Sequence, residues 1–144
     1  MSTLMPQANH FVFYNGAVGA ARTFFSDPVH LGRIPNQATF LAVQANLFRD
    51  AGGTTIDCYV QTSLDDGATW IDIMNLTFGA ATERIVAGTC STITLGTAAL
   101  TPSDGTLADD TIVQGLIGDL LRLRMTVVGA YGAGSTMRVD AVVR

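Results

Sequence analysis

The sequence has no lysine and a single glutamate, Glu83, so its charge rests on eight arginines and, apart from Glu83, on aspartates. Charged residues make up 14% of the chain, and the net charge is −4. Duplex nucleic acid is bound by clustered basic residues, and the sequence has no basic run, so we predict no nucleic-acid partner. A monomer usually carries charge on about a quarter of its residues. The low share of charged residues favours a surface that is partly covered by copies of the chain or by a partner.

Long apolar runs and cysteine-rich patterns are also missing. No apolar run reaches the ~18 residues of a membrane helix, and residues 1–15 lack the pattern of a signal peptide, so we predict no membrane partner. The two cysteines, Cys58 and Cys90, are too few for a disulfide framework and have no metal-binding spacing. We interpret them as reduced and buried, with a single bridge between them as the alternative.

Alternation of apolar and polar residues, the period of a strand with one buried face, recurs along the chain. It is clearest in residues 121–127 and 137–143, which a Gly-rich segment joins. We interpret these two stretches as an antiparallel hairpin. Residues 39–49 and 54–63 alternate in the same way around a short Gly-rich link and predict a second hairpin.

The other segments complete an all-β pattern. Residues 97–110 are rich in Thr, Pro, Gly and Asp, which is typical of a long surface loop, and residues 110–118 are a candidate for one helical turn. About eight strands without a fixed repeat predict an antiparallel β-sandwich or jelly roll. We assign an N-terminal arm to residues 1–9 and a single domain to residues 10–144. Residues 69–78 are a further candidate strand, and shorter candidates cover residues 10–14, 22–25, 83–87 and 92–95.

The most specific local signal is the segment SLDDGATW at residues 63–70, which has the Asp-box form S-x-D-x-G-x-T-W. In this form, the carboxylate of Asp65 accepts hydrogen bonds within the turn, and Gly67 supplies a positive φ. Sialidases repeat the box away from their catalytic residues, whereas this chain carries it once. We therefore interpret it as a structural turn formed by Ser63, Asp65, Gly67, Thr69 and Trp70.

Catalytic patterns are not found. The carboxylate pairs Asp65–Asp66 and Asp109–Asp110 are of the residue type that glycoside hydrolysis uses, but both lie in predicted turns. His10 and His30 have no partner at metal-binding spacing, and the chain has no P-loop and no G-x-S-x-G motif. We predict no enzyme activity, no catalytic residue, no metal and no cofactor. A calcium site in residues 104–110 is the alternative, although its spacing is not that of an EF-hand.

Two stretches resemble small structural proteins of tailed bacteriophages. The first, YVQTSLDDGATWIDI at residues 59–73, is similar to a VQTSxDGGxTWxDI segment that such proteins often carry, with Asp66 in place of a glycine. The second is TPSDGTLADD at residues 101–110, followed by residues 115–124 and the C-terminal RVDAVVR at residues 138–144. The resemblance implies a non-enzymatic component of the virion.

Within that class, we favour a capsid decoration or cement protein that bridges capsomers and stabilises the mature head. Its expected partners are copies of itself, as a trimer, and the major capsid protein or other virion proteins. Its expected location is the virion, assembled in the bacterial host cytoplasm. An arm at residues 1–9 suits a protein that orders part of its chain on a neighbour.

Two alternative functions stay open. A phage tail or connector protein, such as a tube or terminator subunit, would insert a long loop into the next subunit, and residues 96–111 are the candidate. A carbohydrate-binding module would stack sugars on Tyr59 and Tyr131. Separately, Arg122, Arg124 and Arg138 alternate outward on the predicted C-terminal hairpin and are candidate partner-facing residues, with a solvated sheet face as the alternative.

Overall fold

The computed structural model describes residues 9–31, 39–90 and 99–144. Among these residues, no helix is long and apolar enough to cross a membrane. The predicted strand at residues 92–95 and the first eight residues of the predicted arm lie outside the described residues. The strands are β1 (Asn9–Ala17), β2 (Arg22–Phe25), β3 (Val29–His30), β4 (Phe40–Phe48), β5 (Thr55–Ser63), β6 (Ile71–Phe78), β7 (Glu83–Cys90), β8 (Leu120–Val128) and β9 (Thr136–Val143).

The nine strands form two antiparallel sheets. Sheet A has the order β1-β9-β4-β7, and sheet B has the order β2-β8-β5-β6, with β3 beside β8. The pairing is nested, because β1 pairs with β9, β2 with β8, β4 with β7 and β5 with β6. This order is that of a jelly roll, a sandwich built from two Greek keys. The predicted all-β sandwich is confirmed.

Both predicted hairpins are wrong. Strands β4 and β5 lie in opposite sheets, and so do β8 and β9. The two Gly-rich links cross from one sheet to the other and meet there, with the N–H of Gly53 donating to Ala130 O at 2.8 Å. Alternation predicts which face of a strand is buried, but both sheets bury a face in the same core, so it does not predict which strands pair. The turn at residues 63–70 does join two paired strands, β5 and β6.

The core lies between the sheets and consists of the side chains that the alternation predicts to face inward. In β4, for example, Leu41, Val43 and Leu47 are buried. Cys58 is buried in the same core, whereas Cys90 is partly buried at the end of β7, and no disulfide joins them. The inward residues of the other long strands are Ile56, Val60, Leu121, Leu123, Met125, Val127, Met137, Val139, Ala141 and Val143.

The predicted long loop folds back onto its own domain. Its described part, residues 99–110, and the segment that follows it to residue 119 run along sheet B, where Ile112 forms an antiparallel bridge with Met74 of β6. The N–H of Asn75 donates to Thr111 O at 3.0 Å, and that of Val113 donates to Ile73 O at 2.8 Å. Residues 111–113 therefore extend sheet B beyond β6, and the helical turn predicted for residues 110–118 is wrong.

Candidate interaction surfaces

The turn at residues 63–70 forms around the carboxylate of Asp65. This carboxylate accepts hydrogen bonds from the Thr69 N–H at 2.8 Å, the Thr69 hydroxyl at 2.6 Å and the Ser63 hydroxyl at 2.9 Å. These donors, above all the Thr69 hydroxyl, lower the pKa of Asp65 below its usual value. Gly67 has a φ of 88°, and its N–H donates to the Ser63 hydroxyl. The geometry matches that expected of a structural turn.

Trp70, the last residue of this turn, forms one wall of an arginine stack. The Arg122 guanidinium carbon lies 4.2 Å from the centre of the Trp70 ring and 4.7 Å from that of Phe25. Its Nε donates to Gln61 Oε1 at 2.8 Å. Burial lowers the pKa of Arg122. The side chain thus connects β2, β5, β8 and the turn, although 47% of Phe25 stays exposed at the rim.

Beside this stack, a polar network fills the outer face of sheet B. Gln61 Nε2 donates to Asp72 Oδ1 at 2.8 Å and to Asp104 Oδ1 at 2.6 Å. Asp104 also pairs with Arg124 at 2.8 Å. Gln61 is fully buried and Asp72 is 1% exposed, although both lie on the side of the sheet that faces away from the core. The loop therefore closes this face with its own residues.

The outer face of sheet A is different, because it keeps apolar side chains exposed. Val12 is 48% exposed, Phe40 39%, Phe48 57% and Val86 62%. On β4, Ala42, Gln44 and Asn46 lie between the two phenylalanines, and Ala42 pairs with Gly88 on β7 and with Val142 on β9. We call this outer face of β1, β9, β4 and β7 the open face. Large apolar side chains exposed together on one face are a feature of protein interaction sites.

The charged groups described on the open face include a compact cluster. Arg138 Nε donates to Asp140 Oδ1 at 2.8 Å, and His10 Nε2 lies 2.7 Å from Asp140 Oδ2. The hydrogen bond from Arg138 is the main cause of the lowered pKa of Asp140. Asp140 faces Val12 of β1 and Gln44 of β4, and Gln44 faces Val86 of β7. Polar groups therefore lie between two exposed valines in the middle of this face.

The three arginines predicted to form one partner-facing stripe do not share a face. Arg122 and Arg124 point outward from sheet B, and Arg138 points outward from sheet A. Arg124 and Arg122 are occupied by the network and the stack, and Arg138 is held by Asp140. Whether any of them contacts a partner stays a prediction. Phe40, Phe48 and Val86 were not predicted as interaction residues from the sequence. The signal that could have identified them is their outward position in the alternating pattern of β4 and β7.

The aromatic residues considered for sugar stacking are buried. Tyr59 is 7% exposed and Tyr131 is 3% exposed. The Tyr131 hydroxyl donates to Gly79 O at 2.9 Å, inside the packing between the two sheet-crossing links. Neither ring is available to a sugar, so the interpretation of these two side chains as an exposed platform is wrong.

The acidic pairs lie in turns, as predicted. Asp66 and Asp110 have φ values of 59° and 51°, and Asp110 accepts a hydrogen bond from the Thr77 N–H. Among the described residues, no group of three or more His, Cys, Asp or Glu side chains is arranged to hold a metal ion. Asp104, the first residue of the candidate calcium loop, is instead paired with Arg124.

Comparisons with known proteins add no family assignment. No family model matches the chain, and no match was found among the curated proteins or the solved structures.

Proposed function

We propose that this chain is a non-enzymatic structural protein of a tailed-bacteriophage virion, and within that class a capsid decoration or cement protein. The observation that carries the proposal is the contrast between the two outer faces of the sandwich. The loop closes one face with a buried polar network, whereas the open face presents Val12, Phe40, Phe48 and Val86 to solvent. The phage resemblance of residues 59–73 supplies the class of partner, a protein shell.

The mechanism follows from differential affinity. A protein that binds the mature lattice across a boundary between capsomers, and binds the immature lattice weakly, stabilises the mature lattice in proportion to the difference. Burial of apolar surface contributes about 25 cal/mol for each Å² removed from water. The part of the open face around Ala42 and Gly88 is suited to this role, because these two small neighbouring residues let another protein approach closely.

The first test is to locate the protein in particles. We expect gold-labelled antibody against this chain to decorate the heads of particles from the source phage. Gold restricted to the tail would favour the tail or connector function instead. Particles without any label, when a control antibody labels a known head protein, would reject the virion function.

The second test assigns the binding to the open face. Heads that lack the protein are mixed with the purified chain and sedimented, before and after lattice expansion. We expect wild-type protein to bind expanded heads and to raise their resistance to heat. Ala42→Arg, which places a long charged side chain beside Gly88 on the open face, should abolish binding. Thr23→Arg, an exposed position on β2 of sheet B, is the matched control and should bind normally.

The residues first considered for the two alternative functions are not available for them. Residues 99–111, the described part of the loop considered for insertion into a neighbouring subunit, are held against sheet B of their own domain. The carbohydrate-binding alternative relied on Tyr59 and Tyr131, and both are buried. Glycan binding that survives Ala42→Arg would revive the carbohydrate alternative and contradict the cement function.

A further inference from the structure

Three of the four sheet edges are blocked in the described structure. At the β1 edge, a bulge between Val12 and Tyr14 interrupts the register. The β2 edge is four residues long and is followed by Pro28. At the β6 edge, residues 111–113 pair with the strand, and Asp110 binds the Thr77 N–H. Bulges, short strands, proline and covering loops are the ways in which proteins prevent pairing with another chain.

The fourth edge, β7, has none of these features. Its eight residues, Glu83–Cys90, pair with β4 in a continuous register without a bulge. Within residues 9–31, 39–90 and 99–144, no strand pairs with its other side. Val86, at 62%, is the most exposed large apolar residue of the described chain, and it lies in the middle of this strand. A long and regular edge with an exposed apolar centre is a template for an added strand.

A groove with both apolar and polar lining runs along this edge. It has a volume of about 460 Å³ and separates β7 from the segment that extends β6. The lining residues are the apolar Leu76, Ile85, Val86, Ala87 and Ile112 and the polar Asn75, Glu83, Arg84 and Asp110. A strand added to β7 would place alternate side chains in this groove and the others beside Val86 on the open face, because neighbouring side chains of a strand point to opposite sides.

The sequence of β7 is complementary to itself when two copies run antiparallel and Val86 faces Val86. In this register, Ile85 faces Ala87 of the second copy, which pairs a large with a small apolar side chain. Arg84 faces Gly88 of the second copy, where no side chain blocks the long arginine. Glu83 faces Thr89 of the second copy, so no two like charges are directly opposite. Cross-strand pairs of this kind stabilise a sheet, and opposed like charges destabilise it.

We propose that β7 is a self-association site, at which a second copy of this chain adds its own β7 in antiparallel register about Val86. The result is a two-fold dimer in which sheet A continues as one eight-stranded sheet across both copies. Such an interface is isologous, with the same surface on both sides. The inference goes beyond the proposed virion function and does not depend on it.

The first experiment compares two substitutions of exposed valines on sheet A. We expect sedimentation velocity over a wide range of concentration to show a dimer of the wild-type chain. Val86→Lys should weaken dimerisation by about tenfold or more, because the two added charges face each other across the two-fold axis. Val12→Lys, on the bulged β1 edge, should leave the dimer unchanged. Circular dichroism of each variant checks that the fold is retained.

The second experiment tests the register. In a Cys90→Ala background, Val86→Cys places two thiols opposite each other, where the Cβ atoms of facing residues are about 4.5–5.5 Å apart. Mild oxidation should join the two chains through a disulfide, whereas Val12→Cys in the same background should stay uncrosslinked. A wild-type monomer at all concentrations, or a trimer that Val86→Lys leaves intact, would overturn the proposal. Equal crosslinking of the two cysteine variants would do the same.

Discussion

The Asp72 carboxylate accepts the N–H of Gly105 with both oxygens, at 2.9 and 2.7 Å. The N–H groups of Thr106 and Leu107 donate to the same carboxylate at 3.0 and 3.1 Å. Three successive backbone donors that converge on one acceptor form a cradle for an anion. Because Asp72 belongs to β6, this cradle fastens the loop to the outer face of sheet B and closes that face.

Replacement of Asp72 by asparagine should therefore loosen the loop. Asp72→Asn removes the charge and points an N–H₂ group at donors that need an acceptor. Because the site is buried, we expect the free energy of unfolding to fall by about 2–4 kcal/mol. Urea denaturation measures this loss, and limited proteolysis should show faster cleavage within residues 99–119.

The matched control for this prediction is Asp66→Asn. Asp66 is exposed in the turn and has a φ of 59°, a conformation that asparagine also tolerates. We expect this variant to unfold within about 0.5 kcal/mol of the wild type, as is usual at the surface. An equal loss in both variants would mean that the loop is not held by the Asp72 carboxylate.

The outer face of sheet B, which the loop closes, also shows the limit of what the sequence predicts. Leu41, Val43 and their counterparts were predicted to face inward because one-sided burial leaves a period of two. The same period assigns Gln61 to solvent, yet Gln61 is buried. Its cover comes from a loop 43 residues further along the chain, as its hydrogen bond to Asp104 illustrates. Local alternation contains no information about such a distant segment.

The turn at residues 63–70 was predictable for the opposite reason. Its stabilising contacts, from Ser63 and Thr69 to Asp65, span at most four residues, so a local motif contains all of them. The candidate interaction surface was predictable in part. Val86 was visible as an outward residue of a strand, but its position at a sheet edge depends on which strands pair, and that order is set by the whole fold.

A pair of glycine substitutions tests the packing of the sheet-crossing links. Gly53 has a φ of +83°, and a Cβ there would overlap the ring of Tyr131. Gly53→Ala should lower the free energy of unfolding by about 2 kcal/mol or more, since it combines a left-handed backbone with a steric clash. Thermal or urea unfolding measures the change.

Gly79→Ala is the control for Gly53→Ala. Nothing lies within 4 Å of a Cβ at Gly79, and its backbone is outside the left-handed region. We expect stability to be unchanged or to rise by up to about 1 kcal/mol, because alanine restricts the unfolded chain. A loss at Gly79 as large as that at Gly53 would contradict the described packing around Tyr131.

The arginine stack can be followed by fluorescence, because Trp70 is the only tryptophan of the chain. Arg122→Ala removes the group between the Trp70 and Phe25 rings and the hydrogen bond to Gln61. We expect the emission of Trp70 to shift to longer wavelength as the ring becomes hydrated. The free energy of unfolding should fall by about 1.5–3.5 kcal/mol, the sum of two cation–π contacts and one hydrogen bond. Arg138→Ala, on the opposite sheet, should leave the emission unchanged.

The pH dependence of stability should reveal the hydrogen bonds to Asp65. The donors that lower its folded pKa below the usual 3.8 favour the ionised carboxylate, so its stabilising contribution is complete above that pH and is lost as the pH falls through the folded pKa. The difference in unfolding free energy between the wild type and Asp65→Asn should therefore be largest near neutral pH and should shrink in acid. Thr69→Val removes the hydroxyl that is the largest single cause of the lowered pKa, and it should weaken this pH dependence relative to the wild type. A difference that does not vary with pH would show that the Asp65 carboxylate is not stabilised as an anion in the folded turn.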